Sequence, residues 1–96
     1  MIVGVLRLTL RIDAAHSLKD KRQVVKSVVE RVRARFNAAA AEVEDNDTWN
    51  VATVAVVCVS NASAHADAQL QSIANAIIDW RLDAEVLDIE TELIPI

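Results

Sequence analysis

Between His16 and Phe36 the chain reads HSLKDKRQVVKSVVERVRARF, and little but an amphipathic helix accommodates that run. Leu18, Val25, Val28, Val29, Val32 and Phe36 recur at helical spacing, which gathers them on one face. Ser17 stands where an N-cap belongs, its hydroxyl able to accept an orphan N–H of the first turn. Asp20, three residues on, is a shortened capping-box acid placed against the positive end of the helix dipole. Lys19, Lys21, Arg22, Lys26, Arg31, Arg33 and Arg35 cover the other faces and supply seven of the ten Lys and Arg. The result is a basic helix docked by its valines, which must rest on an apolar surface made by the rest of the chain.

The flanking segments provide that surface as strands. From Ile2 to Ile12 the pattern has period two, with Leu6, Leu8, Leu10 and Ile12 on one side and Arg7, Thr9 and Arg11 on the other. Asp13, Ala14, Ala15 and His16 turn the chain into the helix, and Asn37 is a reasonable stop. Residues 38–45 are alanine-rich and would continue a helix by propensity. The end of the basic stripe at Arg35 predicts a short second strand there instead. Asp45, Asn46 and Asp47 mark a turn, and Trp49 to Ser60 reads as a central strand, β-branched and apolar on both faces. Asn61, Ala62 and Ser63 break it. A second helix runs from Ala64 to about Trp80 on a stripe of Ala66, Leu70, Ile73, Ile77 and Trp80. Glu85 to Ile94 alternates again, with Leu87, Ile89, Thr91 and Leu93 inward and Asp88, Glu90 and Glu92 outward.

The order βαββαβ is that of a ferredoxin-like α+β sandwich, a four-stranded antiparallel sheet with two helices on one face, spanning residues 1–96 as a single domain. The first and third strands are expected at the centre, parallel to each other, with the fourth beside the first. Arg7 and Arg11 then face Asp88, Glu90 and Glu92 in a cross-strand charge ladder.

The run GVLRLTLRIDAAHSLKDKRQVVKSVVERVRARFNAAAAEVEDNDTWN resembles the opening of the YlxP-like family of small bacterial proteins. VVCVSNASAHADAQLQSI and EVLDIETELI continue the likeness over essentially the whole chain, and HSLKDKR is its most specific block. The resemblance implies a ferredoxin-like fold, a cytoplasmic location and a gene placed among translation-initiation and ribosome-maturation genes. It implies no biochemical activity.

Ferredoxin-like domains serve many functions, so the residues must discriminate. Cys58 is the single cysteine, which excludes an intramolecular disulfide and a paired-thiolate metal site. The apolar N-terminus is interrupted by Arg7 and Arg11 and has neither a basic leader nor a cleavage site, so neither a signal peptide nor a membrane span is expected. Cytoplasm is the expected location. Base stacking on the sheet face needs aromatics on central strands, and Phe36, Trp49 and Trp80 all fall elsewhere. A phosphate loop of the acylphosphatase kind wants glycine, and Gly4, the only one, lies inside the first strand. No nucleophile is paired with a base.

Two candidate surfaces remain. Parallel first and third strands would open on one sheet edge, where His16, Ser17, Ser63 and His65 could meet beside two helix N-termini and favour an anion. The plainer reading is that the serines cap their helices and the histidines fill turns. Zinc held by the two histidines and Asp67 would lack a third neutral donor, so no metal ligand and no cofactor is assigned. The second surface is the basic helix. Residues 1–36 hold nine Lys and Arg against three Asp and Glu, residues 37–96 one against eleven, so the overall charge of −4 hides a strong asymmetry. The plainer reading is that basic helix and acidic strands serve only each other, within a domain or across a dimer. The functional expectation is a non-catalytic RNA- or ribosome-associated factor, using the seven basic residues named above as phosphate contacts. The alternative is a small oligomeric enzyme or ligand sensor at the His16/His65 edge. A homodimer is also expected. The third strand's two alternating sets are Val51, Thr53, Ala55, Val57, Val59 and Ala52, Val54, Val56, Cys58, Ser60. Either one, left on the open face beside Val3 and Val5, makes an apolar patch.

Overall fold

A computed structural model describes residues 1–13, 15–44, 48–80 and 84–96. The elements are β1 (Ile2–Arg11), α1 (Leu18–Arg35), β2 (Ala39–Glu44), β3 (Val51–Ser60), α2 (Ser63–Asp79) and β4 (Glu85–Pro95). The strands form one antiparallel sheet in the order β2-β3-β1-β4, the ferredoxin-like arrangement. The turn expected at Asp45, Asn46 and Asp47 lies outside the described residues.

α1 ends because Phe36 swings to extended backbone at φ −128° and ψ 149° while its N–H still reaches the Val32 carbonyl. The alanines that follow therefore enter the sheet. Tertiary pairing with β3 overrides their helical propensity. Val43 is the extra residue at a bulge, where pairing shifts between Glu42 and Glu44. A second bulge sits opposite Thr9 and Leu10, so Leu87 is extra and Val86 takes the place beside Leu10. Leu87, expected inward, is consequently exposed, whereas Ile89 keeps its inward place opposite Leu8 and is exposed on the edge strand.

Both helices lie on the face lined by Leu6, Leu8, Leu10 and Ile12 of the first strand and its extension. The inward set of β3 is Ala52, Val54, Val56 and Cys58, all buried. Val25, Val28, Val29 and Val32 of α1 and Leu70, Ile73, Ala74 and Ile77 of α2 close over them. Gly4 belongs to the same face. A Cβ there would stand 2.9 Å from Cys58 Sγ and 3.2 Å from Leu70 Cδ1, so the missing side chain lets α2 sit directly on β1.

One expectation is corrected. β1 and β3 are antiparallel, with Ile2 opposite Ser60 and Arg11 opposite Val51. A crossover returns β2 parallel to β1, and the hairpin then reverses β3. The ends of β1 and β3 that lead into the helices therefore lie at opposite edges of the sheet.

Candidate functional site

α1 carries the basic residues, and its start is built as the sequence implies. The Asp20 N–H donates to Ser17 Oγ at 3.2 Å, and the His16 N–H donates to Asp20 Oδ2 at 3.1 Å. These two bonds, the second reaching one residue beyond the N-cap, fix the helix N-terminus and with it the rotation of the basic faces.

The basic residues do not form one surface. Lys21 is fully buried, one turn ahead of Val25 on the stripe that also holds Val28 and Val32. Its Nζ donates to the Val51 carbonyl at 3.2 Å and lies 2.9 Å from Oε2 of Glu42, whose side chain is 16% exposed. That carboxylate contact is an ion pair outside hydrogen-bond geometry. Lys21 is therefore corrected from a phosphate contact to a structural cation. It joins α1 to the β2–β3 hairpin, because the stem of a lysine packs with valines once its head is paired.

The other six split between two flanks. Lys19, Arg22, Lys26 and Arg33 recur at helical spacing along one flank and are exposed. Arg33 donates to the Ala40 carbonyl at 2.9 Å on β2, and Lys26 stands 3.9 Å from Glu30. Among the described residues Lys19 and Arg22 have no acid within ion-pair range. Arg31 and Arg35, one turn apart, project toward α2. Their guanidinium carbons lie 5.7 and 5.9 Å from the centre of the Trp80 ring, and Arg35 is also 5.8 Å from that of Phe36.

Sequence reasoning set Phe36 and Trp80 aside because neither lies on a strand. Each is a helix C-cap; Phe36 directly follows Arg35 in the chain, and Trp80 at the end of α2 sets its ring against Arg31 and Arg35. Helix-terminal position was the available signal. Glu42 was missed as well, although a glutamate within an alanine-rich strand already called for a partner.

The other candidate surface does not assemble. His16 and Ser17 follow β1, and Ser63 and His65 follow β3, at opposite edges of a sheet whose ten paired residues span about 30 Å. Nor does Ser63 cap α2. It is the first helical residue, and the N-cap is Ala62, which makes no side-chain cap bond. The turn before it is braced by Ser60, whose Oγ accepts from the Ala62 N–H at 3.2 Å. His65 instead lines a shallow groove with Phe36 and Gln69. Cys58 is buried, and burial pushes its thiol above its ordinary value, opposed by a weaker backbone hydrogen bond from Gly4. A thiol held protonated is a packing residue, not an activated nucleophile. Among the described residues no group of three or more His, Cys, Asp or Glu is disposed to hold a metal ion, and no helix is long and apolar enough to cross a membrane.

The charge ladder is also rearranged. Arg7 reaches across β3 to Glu44 on β2 at 3.4 Å, while Arg11 pairs with Glu85 and with Asp13. Asp88, Glu90 and Glu92 have no cation in ion-pair range among the described residues. These acids of β4 are thus left without an ion-pair partner among the described residues, as are Lys19 and Arg22 of α1.

Residues 3–91 match the family described as "Protein of unknown function (DUF503)". A relative in Bacillus subtilis (strain 168), the "Uncharacterized protein YlxP", is 32% identical over 78 residues, covering 81% of this chain and 84% of its own. With a match over nearly its full length and that relative beside it, the chain belongs to the DUF503 family of YlxP-like proteins.

Proposed function

We propose that the protein is a cytoplasmic, non-catalytic accessory factor that associates with RNA or the ribosome through the exposed side of α1. One observation carries the reading. A chain of net charge −4 places Lys19, Arg22, Lys26 and Arg33 along one helical flank, and Lys19 and Arg22 have no acid to neutralise them among the described residues. Charge left unpaired by the fold is available to a polyanion, and phosphate contacts depend on charge density more than on base identity. Lys21 takes no part. The enzyme or sensor alternative loses its support, because the four residues it needed stand at opposite sheet edges.

Charge reversal of Lys19, Arg22 and Lys26 to glutamate, with Lys21 retained, tests the reading. Binding to ribosomal subunits or to RNA is measured across a salt series. The wild type is expected to lose affinity steeply as salt rises, and the variant to bind about tenfold or more weakly at the same melting temperature. Equal binding by both proteins removes the helix flank from the interface.

A homodimer is proposed as well, supported by the apolar half of the open sheet face. Val3, Val5, Ala55, Val57, Val59 and Ile94 lie there together.

A further inference from the structure

We propose that the groove between the end of α1 and the side of α2 takes an unpaired stretch of RNA, with phosphate on the N–H edges of Arg31 and Arg35 and bases stacked over the guanidinium–aromatic layer these arginines form with Phe36 and Trp80. The inference rests on the RNA reading and narrows it from polyanion to single strand.

Two shallow hollows, of about 440 and 390 Å³, share Phe36 and Ser72 and so form one continuous groove. It follows α2 from His65 to Trp80, a length of about 22 Å at helical rise. The lining has what a single strand needs and a duplex cannot use. Phe36 and Trp80, half-buried against the core and overlain by Arg35, form the stacking layer. Asn75 supplies an amide for base edges, whereas the Gln69 amide already donates to the Asn37 carbonyl at 3.3 Å. A-form duplex keeps its bases stacked inside and offers a protein its phosphates and minor-groove edge, so aromatics set in a groove are wasted on it.

The charges point the same way. Arg31 and Arg35 are like charges one turn apart, an arrangement that is unfavourable on an isolated helix. They tolerate each other against the Trp80 ring, and no carboxylate comes within ion-pair range of either among the described residues. Asp79 lines the upper hollow without pairing to Arg35. A guanidinium held on an aromatic face keeps its N–H edge free, and that edge fits a phosphate oxygen. Stacking of a base on an aromatic tolerates any sequence, which suits an accessory factor better than a sequence reader.

Trp49 and Trp80 are the only tryptophans, so Trp49→Phe leaves Trp80 as the sole indole reporter. That protein is titrated at low salt into a fluorescently labelled mixed-sequence single-stranded oligoribonucleotide, and separately into a labelled duplex of equal length, with affinity read from the anisotropy of the label and groove occupancy from Trp80 emission. The single strand is expected to quench Trp80 emission and to bind about tenfold or more tightly than the duplex. Ser72→Glu places a negative charge at the middle of the groove on an exposed residue, so the fold is retained. It should reduce single-strand binding about tenfold while leaving duplex binding within twofold. Equal affinity for both forms with Ser72→Glu indifferent overturns the groove and leaves the basic flank standing. Absence of binding to either form overturns the groove together with the RNA reading.

Discussion

Lys21 separates charge count from charge function. Its position could have been read from the sequence, since it precedes Val25, Val28 and Val32 at spacings that put all four on one face. Its partner could not, because Glu42 lies in another element and only the fold brings them to 2.9 Å. Removing one member of a buried pair strands the other, at a cost of about 3–5 kcal/mol in well-buried cases. Glu42 retains some solvent contact, so Lys21→Ala should lie near the lower end, about 3 kcal/mol. Lys19→Ala and Arg22→Ala, on exposed positions, should stay within about 0.5 kcal/mol. Replacing both partners, as Lys21→Met with Glu42→Leu, should recover most of the loss, because apolar residues of similar volume need no counterion. Urea denaturation of the four variants measures all of this. A Lys21→Ala protein as stable as Lys19→Ala would mean that the pair contributes nothing to the fold.

Helices and strands were largely readable because each has one dominant period. The valine stripe of α1, the leucine alternation of β1 and the doubly apolar β3 all lie where the pattern puts them. Even the alanine-rich β2 was readable, from the end of the basic stripe and Asn37. Strand direction and bulges were not read correctly. The relation of β1 to β3 follows from counting one crossover and one reversal, and the error there carried His16 and His65 to a false meeting point. The bulge at Leu87 leaves no mark in an alternating sequence, so the inward set of β4 came out one residue wrong at that end. Gly4 was noted in the first strand only as a glycine unfit for a phosphate loop, and the seating of α2 on β1 gives its reason. A Cβ at position 4 has to displace Cys58 Sγ or Leu70, and overpacking of a filled core costs about 1–3 kcal/mol. Alanine returns less than about 1 kcal/mol of chain entropy. Gly4→Ala is therefore expected to destabilise by about 1–2 kcal/mol in chemical denaturation, and adding Cys58→Ala should cost less than the sum of the two. A Gly4→Ala protein at least as stable as wild type would show that the contact relaxes freely.

The whole molecule has a sheet face that no helix covers, and its two halves differ. Val3, Val5, Ala55, Val57 and Val59 fill one end, with Ile94 on β4 and Ala39 and Ala41 on β2 continuing the patch and Glu92 on β4 bordering it beside Val5. Val59 is 62% exposed and Ile94 37%, values that a lone protomer leaves in water. The other end holds both signs of charge, Arg7 and Arg11 with Glu44, Glu85 and Asp88. A surface of that kind is its own complement. A two-fold axis near the Val5–Val57 pair sets valine on valine at the centre and leaves the charged end, together with Glu92 on the edge strand beside Val5, at the rim. The size of the face limits the strength of such a contact. Four strands about 4.8 Å apart, of 10, 6, 10 and 11 residues, give roughly 600 Å² per protomer, short of the roughly 800 Å² of a standard interface. The expected dimer is therefore modest in affinity and depends on its apolar centre. Its association should persist as salt is raised, unlike any contact made by α1 to RNA. Light scattering coupled to size exclusion at micromolar protein should report twice the chain mass of 10.5 kDa. Val57→Glu places a carboxylate at the two-fold centre while leaving the buried face of β3 untouched, and should return the protein to a single chain with α1 still able to bind RNA. A wild type that runs as one chain up to about 100 μM would leave the valines of the open face without a partner of their own kind.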